Sequence, residues 1–453
     1  MVTRRSILTG LGGVAASVGA ATLVPGRQPA YARAVVPAGG VRSAGGAVPS
    51  WIDRYAVPLS SIEPGAPLDD LAPLGRTVGD ALVVGLGESV HGSHDQFTLK
   101  HRVLRYLVER RGFRTLALEE DFASGVALDR YVVSGAGDPA ALVGVTSHIW
   151  RTEEMLTLVR WMRAYNLRHR EKLRFLGTDI TQLRALSFDE VTGFVRRVAP
   201  DRLAELEQHL GPIRPQGDPW EHMAWYFQQP DRQPYVDSAR RAEELVAGLR
   251  GGSRLDRAYA QRHAAAVHGW YTFYADGQVR HRDLFMADTI GWWHRLGGGK
   301  AVYWAANAHT AATPTVTFTL PPVTRTEVMA GSLLRQRYGR CYVSIGTVFH
   351  QGEIFTGWTA PSGPSPHRVG RPAPGTVDEI LGGARLADYL LDLRSPASGP
   401  VDAWLRAPGT IRLIGHEYDA ANDPAHNMVV DPLAGAFDAI LHLGTTTPTR
   451  PLR

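Results

Sequence analysis

Short apolar, β-branched runs alternate along the chain with longer stretches of helical period. ALVVGL (81–86), TLALE (115–119), LRFLGTD (173–179), AVYWAAN (301–307), RCYVSIGTV (340–348), IRLIG (411–415) and AILHLG (439–444) read as strands. Helical spacing runs over 95–111 and 152–168. A mainly helical stretch fills roughly 184–296, most clearly in DRLAELEQHL and ARRAEELVAGLR. Strands apolar on both faces and separated by helices predict an α/β fold, a mainly parallel sheet flanked by helices. The helical stretch near 184–296 then reads as a large insertion placed to cover an end of the sheet. The Gly/Pro-rich segment 350–375 reads as a surface loop.

The N-terminus follows a different pattern. TRRSILTG carries a twin arginine, a weakly apolar Gly/Ala-rich run follows from Ile7 to Val24, and QPAYARA offers small-residue cleavage positions at Ala32 or Ala34. Residues 1–34 therefore read as a twin-arginine export signal, and the glycines, alanines and serines make a poor membrane anchor. Residues 35–50 read as a linker, with the structured domain spanning 51–453 and starting near Trp51. Export implies a secreted or extracytoplasmic protein with no stable membrane insertion once the signal is cleaved.

Charge adds one exclusion. The net formal charge is +5, but Arg4, Arg5, Arg27 and Arg33 sit in the expected signal with no acid beside them. The remainder is almost neutral, its arginines interspersed with acids, and only three lysines occur. That is a solvated surface rather than a nucleic-acid footprint. The single cysteine, Cys341, lies in an apolar run and reads as core packing, so the fold rests on its core and not on disulfides.

Ligands of open parallel sheets bind beyond the carboxyl ends of the strands. The residues there are Glu88 and His91, then Glu119, Glu120 and Asp121, then Asp179, then Asn307 and His309, then His350. Carboxylates and imidazoles from distant strands thus converge on one edge, which argues for an enzyme. In the helix after the first strand, Asp95 is a candidate N-cap and Gly112 a candidate C-cap. Phe97, Leu99, Val103, Leu104 and Leu107 share one side, with Lys100 inside that stripe, while Arg102, Arg105 and Glu109 face away. A lysine on the buried face needs a carboxylate partner, here Glu88 or Glu119.

The stretch GLGESVHGSHD (85–95) admits several readings. As a phosphate loop it lacks a Walker lysine, and GxGxxG is broken. As a nucleophile elbow around Ser89 it lacks the closing glycine. Its Glu-x-x-His has no second copy, so the paired di-iron pattern is missing, although a single divalent metal on Glu88, His91, Glu119 and His309 stays open. The remaining reading is a turn that presents Glu88 beside His91, where a carboxylate fixes the tautomer of a water-activating base.

GLGESVHGSHDQFTLKHRVLRYLVERRGFRTLALEED resembles the signature of the erythromycin esterase family, Gly-Glu-x-x-His-Gly followed by a Lys-His-Arg-Leu helix and a Leu-Glu strand end. The likeness continues in order through HIWRTEEMLTLVRWMRAYN (148–166), FLGTDI (175–180), RHRDLFMADTI (280–290), WAANAHT (304–310), GSLLRQRYGRCYVSIGTVFHQGEI (331–354) and FDAILHLGTTTPTRPL (437–452). It implies ester or lactone hydrolysis by activated water, in the resistance esterases of a macrolide, with a role in the response to antibiotics. It implies His91 as general base with Glu88 and Glu119 around it, a basic residue at Lys100, and His309 in the second signature. That signature usually reads His-Asn-x-His. Here it is Ala306-Asn307-Ala308-His309, so the first histidine is missing and macrolide cleavage does not follow from the likeness. His148, His350 or a metal could stand in for it.

The expected protein is therefore an exported carboxylic ester hydrolase acting on a small-molecule ester or lactone, with no required cofactor. His91, Glu88, Glu119 and His309 are the expected catalytic residues. Lys100, Arg151, Asp179, Arg282 and Asn307 are expected to bind substrate, with Lys100, Arg151 or Arg282 countering the oxyanion. Trp220, Trp225, Tyr226 and Phe227 either line an apolar cleft or form helix core. The alternative is a non-hydrolytic member of the same fold that binds a metal or haem.

Overall fold

The computed structural model describes residues 46–320, 323–360 and 362–452. The expected signal and most of the expected linker lie outside the described residues. The described chain contains thirteen strands: β1 (Val57–Pro58), β2 (Val83–Glu88), β3 (Thr115–Asp121), β4 (Arg174–Asp179), β5 (Ala301–Ala306), β6 (Val316–Leu320), β7 (Val323–Glu327), β8 (Tyr342–Thr356), β9 (Ser365–Val369), β10 (Tyr389–Asp392), β11 (Gly409–Arg412), β12 (Asn427–Val430) and β13 (Ala439–Thr446). The main sheet runs β1-β10-β13-β8-β2-β5-β3-β4, with β9 added to β8. Its six central strands, β13 to β4, are parallel, and the β1, β10 and β9 pairings are antiparallel. A second sheet, β11-β12-β6-β7, is wholly antiparallel.

Alternation along the strands divides the core between the two faces of the main sheet. Val84 and Leu86 of β2, Leu116 and Leu118 of β3, and Val302 and Trp304 of β5 pack with Phe97, Val103 and Leu107 of the His94–Arg111 helix. Val83, Ala117 and Tyr303 point the other way, onto Trp270, Tyr271, Met286 and Ile290 of the helical stretch. That stretch begins at Ala185 and ends at Arg295, and its two longest helices are Arg254–Asp276 and Val279–Arg295. A third cluster, including Val316, Phe318, Ile411 and Met428, lies under the second sheet. Fully burying side chains of this size contributes about 1.5–3 kcal/mol each, so the core needs no covalent staple.

Several expectations change locally. The first helix, Ala47–Tyr55, starts inside the stretch read as linker, because Val48, Trp51 and Ile52 bury their side chains. Ser93, not Asp95, caps the His94–Arg111 helix by accepting from Gln96 N, while Gly112 ends it in the left-handed region as expected. Arg102 does not face solvent: it is buried and held by Asp70 and by the carbonyls of Ser61 and Pro67. Residues 350–375 are not simply a loop, since β8 continues to Thr356 and pairs with β9 as a hairpin. Residues 411–412 end β11 of the second sheet rather than adding to the main one. Cys341 sits half-buried in the turn before β8.

Two glycines of GLGESVHGSHD are set by close packing. A Cβ on Gly87 would collide with Asn307 Oδ1, and one on Gly92 would collide with the Phe355 carbonyl. Phe355 N also donates to Gly92 O at 2.8 Å, so the turn after His91 lies directly against the end of β8. Gly92→Ala should therefore lower unfolding stability by about 1–3 kcal/mol, measured as a shift of the urea midpoint; an unchanged midpoint would contradict this packing.

Candidate active site

Glu88 is the last residue of β2, the strand between β8 and β5 at the middle of the parallel sheet. Its carboxylate is fully buried. One oxygen is 3.0 Å from His91 Nδ1, and the other pairs with Lys100 Nζ. Lys100 is itself fully buried, one helical face beneath the site, and its ammonium lies 4.4 Å from the centre of the Trp304 ring. Burial pulls the Lys100 pKa well down and the charge of Glu119 opposes that. The helix delivers Lys100 to the carboxylate because the lysine sits inside the apolar stripe.

A carboxylate only accepts, so the 3.0 Å contact places a proton on His91 Nδ1. Nε2 is then left as a lone pair, the form a general base needs. The ring is fixed from the side by Trp150, edge-on at 5.3 Å, which stacks on Phe97 and donates its Nε1–H to Glu119 O at 2.8 Å. Burial holds His91 below 6.5; Glu119 opposes this, and His309 and Arg282 reinforce it. This favours the neutral imidazole.

Glu119 from β3 forms the second wall. Its Oε2 accepts from Ala306 N at 2.8 Å and its Oε1 from Arg282 Nη2 at 2.6 Å, with His309 Nε2 at 3.4 Å. Burial pushes its pKa up, but His309, Arg282 and His91 together hold it far below the usual carboxylate range. Asp179, at the end of β4, grips Arg282 Nε and Nη2. His309 Nδ1 lies 2.8 Å from Asp283 Oδ1, which also accepts from Ala330 N. Burial lowers the His309 pKa, yet Asp283 and Glu119 carry it above 6.5. Four carboxylates thus meet these cations in two adjoining clusters, Glu88 with Lys100 and His91, and Glu119, Asp179 and Asp283 with Arg282 and a readily protonated His309. Ligand atoms of Glu88, His91 and Glu119 lie within 4.8 Å of one another, a set that could hold a metal ion.

The erythromycin esterase family model matches residues 108–446. The chain belongs to the erythromycin esterase family. Erythromycin esterase type II of Escherichia coli is 35% identical over 130 residues, 29% of this chain and 31% of that protein. YbfO of Bacillus subtilis (strain 168), named as a hydrolase, is 27% identical over 162 residues, 35% of this chain and 34% of that one. The chain thus matches about a third of the length of each of these curated relatives. A succinoglycan biosynthesis protein and a Bacillus cereus protein, both 27% identical, superpose on 89% of the chain with TM-scores of 0.75 and 0.76, covering 97% and 98% of their own lengths. An erythromycin esterase variant in its open conformation, 17% identical, shares the fold over 87% of the chain and 98% of its own (TM-score 0.64).

Of the residues expected from the family pattern, Glu88, His91, Glu119 and His309 come together, joined by Lys100, Asp179 and Arg282. Lys100 and Asp179 are both buried, Lys100 paired with Glu88 and Asp179 with Arg282. Asn307 is likewise buried, bridging Thr347 N and O across to β8. Arg151 lies apart, its Nε donating to Thr146 O near Glu120 and Arg184. Glu120 and Asp121 face that second cluster, where burial and the Asp121 charge push the Glu120 pKa up to about 8. His350 does not replace the missing histidine, since it sits mid-strand in β8 against Gly382. His148 does stand near the site, paired with His416 at 3.0 Å. Trp220 and Trp225 are partly exposed while Tyr226 is helix core.

Asp283, Trp150 and His416 were not singled out by sequence reasoning. Asp283 directly follows Arg282 on a helix and is fully buried, a signal that burial alone supplies. His416 directly follows the run IRLIG (411–415) read as a strand, so the strand-end rule could have found it, although that strand belongs to the second sheet. Lys100→Met leaves the Glu88 carboxylate buried without its cation, so unfolding stability should fall by about 3–5 kcal/mol. Adding Glu88→Gln should recover most of that loss in chemical denaturation; a double variant as unstable as Lys100→Met would show that the pairing is not the cause.

Proposed function

We propose that this protein hydrolyses a carboxylic ester or lactone of a small molecule, with His91 as the general base. The observation that carries this is the buried Glu88–His91 contact, which leaves Nε2 of a neutral imidazole free to take a proton from water. Attack forms the C–O bond from water to the carbonyl carbon, collapse breaks the acyl–oxygen bond, and the proton passes to the departing alkoxide. Glu119, Arg282, Asp179, His309 and Asp283 form the charged wall that holds this geometry. The family relationship and the hydrolase among the relatives support the reading. Ala306 leaves a small side chain where the resistance esterases carry an imidazole, so the substrate range differs at that wall and includes esters other than macrolides. Export by the N-terminal twin-arginine segment would place the reaction outside the cytoplasm. No helix among the described residues is long and apolar enough to cross a membrane.

The chemistry of the donor set favours hydrolysis without a metal. Both Glu88 oxygens are engaged by His91 and Lys100, and both Glu119 oxygens by Arg282 and Ala306 N. A divalent ion on Glu88, His91 and Glu119 would displace these partners and stand beside two fixed cations, an arrangement opposed by their repulsion. Activity on an ester panel should accordingly survive extensive dialysis against EDTA; loss on chelation with recovery on one divalent ion would reverse this assignment.

His91→Asn should lower kcat about 10²–10⁴-fold with little change in fold, measured by mass spectrometry of hydrolysis products. The wild-type kcat/KM should climb with pH through a single midpoint below 6.5, because protonation of His91 removes the base as pH falls and burial favours the neutral form. Full activity in His91→Asn, or a midpoint above 7, would contradict the role.

A further inference from the structure

Ester hydrolysis needs a donor for the carbonyl oxygen as it becomes an oxyanion, and the cations beside His91 are already committed. Lys100 is on Glu88, and Arg282 is on Asp179, Glu119 and His309. Arg151 lies by Glu120 and Arg184. The opposite wall carries a different device. His148 Nε2 and His416 Nδ1 are 3.0 Å apart, so one ring donates to the other.

The backbone sets this pair beside His91. Val90 and Ile414 form a parallel bridge, with Ile414 N donating to Ser89 O at 2.8 Å, so the segments carrying His91 and His416 run side by side, His416 two residues past the bridge and His91 one. The end of β8 locks both: Phe355 N donates to Gly92 O, while Gly357 N and Trp358 N donate to His416 O at 3.0 and 3.1 Å. His148 comes from the turn that also carries Trp150, the ring against His91, and Ser147 N anchors that turn on Glu120 Oε2. The His148 ring is flanked by Trp220 at 5.6 Å and Trp358 at 5.4 Å. His416 is exposed, and its Nε2 has no protein partner among the described residues.

We propose that His416, through its Nε2–H, is the oxyanion-binding donor of the reaction, and that His148 is the positioning residue that fixes its tautomer. When His148 Nε2–H donates to His416 Nδ1, the only proton left for the His416 ring is on Nε2, and this ring is close enough to the site for His91, Arg282 and Glu119 to act on it electrostatically. The pair is suited to this because it stays neutral. Desolvation by the surrounding protein, reinforced by His416, Arg151 and His91, depresses His148 to about 2, and desolvation reinforced by His91 and Arg282 depresses His416 to about 4. A neutral imidazole donates a hydrogen bond without surrendering its proton, and it does not compete with His91 for the proton from water. No proton moves through His416: the proton taken by His91 goes on to the leaving alkoxide. The assignment rests on the hydrolase reading above.

The test compares an ester with its thiono analogue, whose developing thiolate accepts hydrogen bonds poorly. With the full chain and p-nitrophenyl acetate, His416→Ala should lower kcat about 10²-fold at nearly unchanged KM. On the thionoester the loss should be far smaller. His416→Gln, which keeps an N–H donor, should recover about a tenth of wild-type kcat, an order-of-magnitude expectation for a misplaced donor. His148→Ala should narrow the oxo-to-thiono ratio in the same direction. Equal losses on both esters, or His416→Ala within threefold of wild type, overturn the assignment while leaving the hydrolase intact. A wild-type protein that cleaves no ester in a panel of esters and lactones overturns the hydrolase reading itself, and this assignment with it.

Discussion

A carboxylate buried at the end of the central strand is the constraint on which the site depends. Glu88 lies where β2 emerges between β8 and β5, with no access to water. Left alone it would cost several kcal/mol to keep ionised. The structure offsets that cost twice, with Lys100 from the following helix and with the His91 ring from the following turn. Both compensations have chemical consequences. The lysine keeps Glu88 in place, and Glu88 in turn dictates which nitrogen of His91 carries the proton. The same logic repeats at Glu119, where Arg282 and the Ala306 amide satisfy the two oxygens. A site of this kind is preorganised: its charges are arranged before substrate arrives and need little rearrangement when charge develops.

Topology explains how such distant residues meet. Six parallel strands end on the same side, and β2, β5, β3 and β4 are neighbours in space although β5 begins at Ala301, far along the chain from the ends of its neighbours β2 at Glu88 and β3 at Asp121. The helical stretch contributes Arg282 and Asp283 from the helix before β5, so it is part of the site as well as a cover. The second sheet contributes its own segment: the chain leaving β11 runs beside the turn after β2 and carries His416. Two glycines, Gly87 and Gly92, allow the backbone to approach Asn307 and Phe355 closely enough for these walls to touch.

Much of this was legible in the sequence because period and chemistry coincide there. The apolar runs of β2 to β5, β8 and β13 marked the strands, and their ends marked Glu88, Glu119, Asp179 and His309. The lysine inside the apolar stripe of the His94–Arg111 helix announced a buried pairing. Other features depend on three-dimensional burial and leave no local mark. Arg102 occupies a position that helical spacing assigns to solvent, yet the loop carrying Asp70 folds over it. Asn307 and Asp179 stand at strand ends as expected, but their bonds to Thr347 and Arg282 follow only from the folded arrangement. The β8–β9 hairpin was hidden by its glycines and prolines, whereas His416 stood at the end of the run IRLIG and was passed over.

The central claim is that Glu88 holds His91 as a neutral ring protonated on Nδ1. The most direct measurement is ¹⁵N NMR of histidine-labelled protein, with the His91 resonances assigned by loss in His91→Asn and titrated with pH. The account predicts the Nδ1–H tautomer at pH 7 and a His91 pKa below 6.5. An Nε2–H tautomer at pH 7, or an imidazolium persisting above pH 7, would contradict it.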